Sequence, residues 1–494
     1  ATGLVQSSSA NIYFDGNKLD FSSPVAVKTT GAVYVEPFGT TFSAPVSLPS
    51  NFTVNASATG FTLGKTTNTA NITQASALTI NGPISIYGGN ITLNAALATT
   101  NTTTGDVLLQ GGVINSAYGI SLADSRTLTV DNSGSSVLSG VISGTGASLN
   151  KLGAGVLTLT GTNTYTGGTH IDAASTLVVG NGTTVGALGT GNIVNDGVLS
   201  FKRSDAMTMA DVISGAGIVK QEGSGTLTLS GTNSYAGGTQ VNAGVLAIST
   251  DLNLGAVPAS VDPDNISLNG GTLRFMPGFT TLHANRGLTL AGNGTLSTDA
   301  SVSVNYGGVI AGTGGLTKSG SGTLTLTNAQ THTGTTTVSG GTLNVGDGSN
   351  TTAALAANSI IIGTGTTLNF NHSADVTVAN AISGAGALNK VDTHTLTLTG
   401  VNSYTGATGT GSAGGLVFTN DTAPSTVGFT GSGTVTIEPM TTSFGSLVTG
   451  NYTYATTLSG LTLGKVGNLT DVTLDSLVNI AGPITVYAPH ITVN

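Results

Sequence analysis

The sequence predicts an all-β protein, a right-handed parallel β-helix (β-solenoid) wound as a single elongated rod. Three observations point there. One block of sequence recurs four times. Within each block, apolar and polar residues alternate with period two, as in Leu157-Thr158-Leu159-Thr160. Gly, Asn and Asp interrupt the chain about every 6 to 10 residues, leaving room only for strands of about 3 to 5 residues.

Composition removes other classes. Of 494 residues only 7 % are charged and 5 % aromatic, with no Trp and no Cys. The absence of Cys removes disulfides, thiolate metal sites and Cys nucleophiles together. Hydrophobic residues reach 38 %, too many for a solvated disordered chain. Glycine, 74 residues, is abundant but lacks the strict period of collagen. No apolar run is long enough for a transmembrane helix, so no transmembrane segment is expected. The formal net charge of −9 leaves no basic face for counterion displacement, so no nucleic-acid partner is expected. The first residues, ATGLVQSSSA, show neither a basic region nor an apolar core, and no signal peptide is read there.

Residues 1–130 read as an opening solenoid segment. Residues 131–420 hold the four blocks, which begin at Ile142, Ile213, Ile310 and Ile382, with cores near 142–179, 213–248, 310–345 and 382–418. Three of them begin 71, 97 and 72 residues after the one before, so the unit is near 71 residues with one longer spacer. Residues 421–494 echo 36–94: between Gly60–Asn94 and Gly460–Asn494, 16 of 35 positions are identical at an offset of 400, and Glu36-Pro37 returns as Glu438-Pro439. This end reads as the start of a next super-repeat, and the chain as a window on a larger repeat protein.

Strands this short bury nothing alone. Stacked coils let each strand pair with its equivalent above and below, about 4.8 Å away. Leu, Val and Ile then fill the interior in ladders while Thr, Ser and Asn line the outside. At roughly 20 residues per coil this gives about 24 coils and a rod of roughly 115 Å at that spacing. The one segment with helical character is Thr352–Asn358 (TAALAAN), expected to form a helical turn or two.

The blocks share G-x-G-x-L-T-L-x-G-x-N-x-Y-x-G-G-T, which resembles the autotransporter-associated β-strand repeat, also called the passenger-associated transport repeat. Gly153–Thr169 and Gly223–Thr239 match nearly throughout. The third copy has Gln330, His332 and Thr335 for the Asn, the Tyr and the second Gly, and the fourth has Thr393-His394 in the Gly-x-Gly step. The segment Ser76–Leu97 resembles filamentous-haemagglutinin-like giant bacterial adhesins. The resemblance implies export to the surface of a Gram-negative bacterium, or secretion, and adhesion.

The pairs Asn163/Tyr165, Asn233/Tyr235 and Asn402/Tyr404 recur in register. They read as repeat turns, Asn capping a turn through its own backbone and Tyr covering the adjacent coil, against a row of rings that stacks on sugars. Lys202, Arg203, Asp205 and Asp211, with Lys220 and Glu222 nearby, form the densest ionic patch. Clustered carboxylates beside a basic group are what a β-helical polysaccharide lyase uses for Ca²⁺ and proton transfer; a surface charge group is the plainer reading. The six His residues (170, 283, 332, 372, 394 and 490) lack metal-ligand spacing and read as solvated turn residues. Gly409–Gly414 fits G-x-G-x-x-G, but the following GLVFTND reads as a strand, not the helix a dinucleotide site needs. Asp262-Pro263-Asp264 reads as a turn, and the N-x-S/T triplets at Asn51, Asn71, Asn90 and Asn451 as products of composition.

No catalytic, cofactor or metal site is expected. The sequence therefore reads as a non-enzymatic adhesin or structural stalk whose polar faces make multivalent contact with host or abiotic surfaces, glycans or neighbouring copies of itself. A self-assembling filament subunit and a β-helical polysaccharide lyase or glycosidase are the alternatives, because fold alone does not decide function.

Overall fold

The computed structural model describes residues 3–419, 427–444, 447–448, 452–475 and 477–494. Among these residues the chain is strand and turn, with a single short 3-10 turn at Asp251–Leu254. None of their helices is long and apolar enough to cross a membrane. The chain divides into two compact units, Ala1–Gln240 with Leu252–Ala256, and Val241–Asp251 with Val257–Asn494.

The first unit is a parallel β-solenoid. One ladder runs Ile84↔Val107↔Leu128↔Leu149↔Thr169↔Ile193↔Ile213, so a coil takes 20 to 24 residues. Every side chain in that column is buried. A second inward column, Ser136↔Leu157↔Leu177↔Leu199↔Val219, lies on another face. The alternation puts Thr129, Thr158 and Val178 outside, between buried neighbours. Each fully buried Leu or Ile contributes roughly 1.5–3 kcal/mol, and the stacking of coils is what removes it from water.

Two glycines of the repeat do different work. The first Gly of the G-G-T step is present in all four copies, as Gly167, Gly237, Gly334 and Gly406. A Cβ there would collide with the coil before it, at Gly146 O, Ala216 O, the Gly315 amide and Gly386 O respectively. The second Gly has positive φ in copies one and two (Gly168 +93°, Gly238 +83°), where only glycine is unstrained. Copies three and four carry Thr335 and Ala407 instead, and neither adopts positive φ. At the second position a Cβ on Gly168 would also meet Asn192 O, yet copies three and four dispense with glycine by rebuilding the turn; at the first position the steric demand is present in every copy.

The second unit is built alike. One inward ladder runs Val304↔Leu324↔Leu343↔Leu368↔Leu388↔Thr408. Another runs Leu246↔Leu273↔Leu296↔Lys318↔Val338↔Ile362. The sequence echo is also a structural one. Gly64 and Gly464 have φ +84° and +81°, and the Asn68 and Asn468 amides each donate to the carbonyl of Tyr87 or Tyr487 at 2.8 Å.

Thr352–Asn358 forms no helix. Ala354 instead makes a parallel bridge with Ala329, and Ala353, Leu355 and Ala356 are buried. Seven residues are too few to sustain a helix alone, and laying the alanines against the coil buries them directly.

Candidate functional site: the repeat corner and the outward faces

Each repeat turns a corner through the residues of its N-x-Y-x-G-G-T step. Tyr165, Tyr235 and Tyr404 are no more than 1 % exposed. Their hydroxyls bond the Thr four residues on: Thr169 at 2.7 Å, Thr239 at 2.7 Å and Thr408 at 2.9 Å. Burial pushes the Tyr165 hydroxyl up to about 12. The rings lie inside the coils, so no tyrosine row is presented to a sugar. In copy three His332 takes the same place, its Nε2 at 2.9 Å from Thr336 Oγ1.

Asn163 and Asn233 bond between coils, whereas the Asn402 side chain bonds within its own turn. Asn163 accepts from the Ile142 amide at 2.8 Å and donates to Ala187 O at 2.7 Å. Asn233 repeats this with Ile213 and Asn253, at 2.9 and 2.7 Å. Gln330 accepts from Ile310 at 2.6 Å. Asn402 donates to Gly400 O at 2.9 Å, and its backbone makes a bridge with Ile382. In copies one and two a single amide thus ties a coil to both its neighbours.

A second recurrent feature escapes sequence reasoning. Lys151, Lys318 and Lys390 point inward and are at most 1 % exposed. Lys318 Nζ donates to Ser319 O, Gly320 O and Gly340 O at 2.8, 3.0 and 2.9 Å. Lys151 donates to Leu152 O and Gly153 O, and Lys390 to Asp392 O at 2.6 Å and Ala413 O at 2.8 Å. In copy two Gln221 replaces the lysine and donates to Gly223 O at 2.8 Å. Burial lowers the Lys151 and Lys318 ammonium groups to about 8. The available signal was positional, a long polar side chain two residues before the turn in every copy.

The ionic patch does not converge. Arg203 forms a bidentate pair with Asp205 at 2.8 and 2.7 Å and also donates to Gly186 O. The Arg203 bond holds the Asp205 carboxyl below its usual range. Asp211 accepts from the Gly191 amide at 3.2 Å, and Glu222 from Ser200 Oγ at 2.9 Å. Lys202 is exposed, and Lys220 is half-buried on an outward column. Among the described residues no three His, Cys, Asp or Glu side chains gather as metal ligands.

Two histidines depart from the solvated reading. His332 is 0 % and His372 2 % exposed, the former in the tyrosine slot and the latter with Nε2 at 2.8 Å from Ala353 O. Asp262-Pro263-Asp264 lies not in a turn but at the start of the strand Asp262–Leu268, where the pairing register shifts. Gly409–Gly414 runs from strand through turn into the strand Gly415–Thr419, without a helix. Asn71 accepts from the Asn90 amide and Asn90 from the Val113 amide, both at 3.0 Å, so these two side chains serve inter-coil bonding; Asn51 is exposed. Asn451 lies outside the described residues.

The outward faces are regular and polar. In the second unit Asn389 donates to Asn369 Oδ1 at 3.0 Å, Asn369 to Asn344 Oδ1 at 2.9 Å and Asn344 to Thr325 Oγ1 at 3.1 Å. Four successive coils thus share one side-chain chain of hydrogen bonds.

The passenger-associated-transport-repeat model matches residues 149–179, 220–248, 316–345 and 388–409. The chain is 36 % identical over 218 residues to the "Adhesin BmaC autotransporter" of Brucella suis biovar 1 (strain 1330). That match spans 44 % of this chain and 6 % of the relative. No solved structure matches significantly. The four recurrent blocks are therefore passenger-associated-transport repeats, carried on a parallel β-solenoid and similar to a stretch of an autotransporter adhesin.

Proposed function

We propose that this chain is a non-enzymatic adhesive segment displayed at, or released from, the surface of a Gram-negative bacterium. The observation that carries this reading is the coincidence of transport repeats with similarity to an autotransporter adhesin. The geometry is consistent with it. Polar outward columns repeat once per coil, so weak contacts sum by multivalency. In the ionic patch Arg203 and Asp205 pair with each other while Asp211 and Glu222 bond separately to a backbone amide and a serine hydroxyl, so no carboxylate pair converges with a base, which argues against the lyase reading. With 7 % charged residues, adhesion should rest on hydrogen bonds and shape rather than ion pairs.

Beads coated with the purified chain test the proposal against epithelial cells, abiotic polymer and glycan-coated wells. Retention above albumin-coated beads is expected, changing less than about twofold between low and high salt because few exposed charges are there to screen. Beads that adhere to none of these surfaces no better than albumin would overturn the reading.

A further inference from the structure

The strands Ile84–Leu93 and Val107–Ser116 are the two longest among the described residues, and both bend across a corner at paired glycines, Gly88-Gly89 and Gly111-Gly112. Outside this corner lies a groove of about 380 Å³. It runs over four successive coils, about 14 Å at the inter-coil spacing. Its length is contributed by Thr66 and Thr69, then Tyr87, then Gln110, then Asp131.

Register brings the last three together. Tyr87 pairs with Gln110 and Gln110 with Asp131, between inward-facing Ile86, Leu109 and Val130. All three side chains are half-buried on the outer face. Gln110 Nε2 donates to Asp131 Oδ2 at 3.1 Å. Among the described residues no donor reaches Gln110 Oε1 or Asp131 Oδ1, the latter lying against Gly153 of the following coil. No Lys, Arg or His lines it, and Asp131 is its one ionisable acid. The echo at the other end retains Tyr487 but replaces the glycine pair with Ala488-Pro489, so the glycine floor belongs to this corner.

We infer that this groove is a binding subsite for an extended, uncharged oligosaccharide. A shallow trough holding one aromatic ring, the half-buried Gln110 amide and one carboxylate offers an apolar edge for sugar C–H faces and acceptors for hydroxyl donors. Asp131 is the one charge lining the groove, and the Lys151 ammonium that acts on it is buried inside the coil, so the groove disfavours polyuronates and other acidic glycans. The linear course along stacked coils favours a chain over a single sugar. The inference rests on the adhesive reading and names a ligand class for one groove within it.

Saturation-transfer NMR titrations with cellohexaose, xylohexaose, mannohexaose and oligogalacturonate of equal length test it. At least one neutral hexasaccharide should bind, and oligogalacturonate at least tenfold more weakly. The double variant Gln110→Ala/Asp131→Ala should lose at least tenfold in affinity with an unchanged thermal melt. The near-isosteric Gln110→Glu, which removes the donor to Asp131 and adds a second carboxylate, should lose as much, while Asn389→Ala should lose nothing. Binding by none of the neutral chains, preference for the acidic one, or wild-type affinity in both groove variants would each overturn the inference. Bead adhesion with no oligosaccharide binding leaves the adhesive reading standing while the groove inference fails; oligosaccharide binding without bead adhesion does the reverse.

Discussion

His332 occupies a slot built for tyrosine, and its chemistry makes that slot titratable. Burial is the main cause holding its pKa below the ordinary 6.5, partly offset by a backbone hydrogen bond involving Ile310. The unfolded chain therefore binds a proton at higher pH than the folded one. Stability is full above about 6.5 and falls as pH drops toward the folded value. Denaturant melts between pH 7.5 and 5 should show this loss in the wild type, and His332→Tyr should remove the histidine's share of it; equal acid sensitivity in both would contradict the assignment. The inward lysines act at the other end of the scale. Lys318 drops to about 8 by burial against an ordinary 10.5, so the unfolded chain holds the extra proton between those values. Its contribution to stability should rise from pH 8 to about 10.5. Lys318→Met should flatten that rise, while leaving the Ser319, Gly320 and Gly340 carbonyls without their shared donor. Denaturation at pH 7.5 and 10 measures both effects. Neither residue was legible from sequence alone. A period-two pattern assigns polar positions outward, and it says nothing of a side chain whose polar tip is satisfied from inside by carbonyls of the next turn. Tyr165 was legible as recurrent, but its burial was not, because a ring with a polar tip suits either face.

At the scale of one coil, glycine placement separates steric from conformational demand. Gly167→Ala should cost about 2 kcal/mol or more, since its Cβ would meet Gly146 O and neither backbone can yield without opening the ladder. Thr335→Gly restores the residue of copies one and two at a position whose φ is not left-handed, and should cost no more than about 1 kcal/mol from added chain entropy. Denaturant unfolding of the two variants gives the comparison; similar costs would contradict the distinction. The strands themselves were readable, because Leu-Thr-Leu-Thr alternation and glycine punctuation both have local causes. The TAALAAN segment was misread because its fate depends on a nonlocal surface, the coil that accepts Ala353 and Leu355. Asp262-Pro263-Asp264 was misread for a related reason: proline is tolerated in a strand where the register shifts, and a register shift is invisible until the partner strand is known.

For the molecule as a whole, the proposed function depends on register. Tyr87, Gln110 and Asp131 stand 23 and 21 residues apart in sequence and form one column only because equivalent strands stack in phase. The sequence carries the repeat, and hence the solenoid, but small variations in coil length, from 20 to 24 residues in one ladder, hide which outward residues become neighbours. The same dependence extends to the asparagine chain from Asn344 to Asn389, which one slipped coil would break. In-phase parallel stacking is thus the premise beneath the proposed adhesive faces and the proposed groove alike. The chain contains no cysteine, so paired substitutions probe it against a clean background. Thr158 and Val178 face outward directly opposite each other on successive coils, a separation a disulfide can bridge. Under mild oxidation Thr158→Cys/Val178→Cys should form an intramolecular disulfide in high yield, and Thr158→Cys/Thr176→Cys much less of it. Preferred cross-linking of the 158/176 pair, or none at 158/178 in a folded chain, would contradict the stacked-coil account.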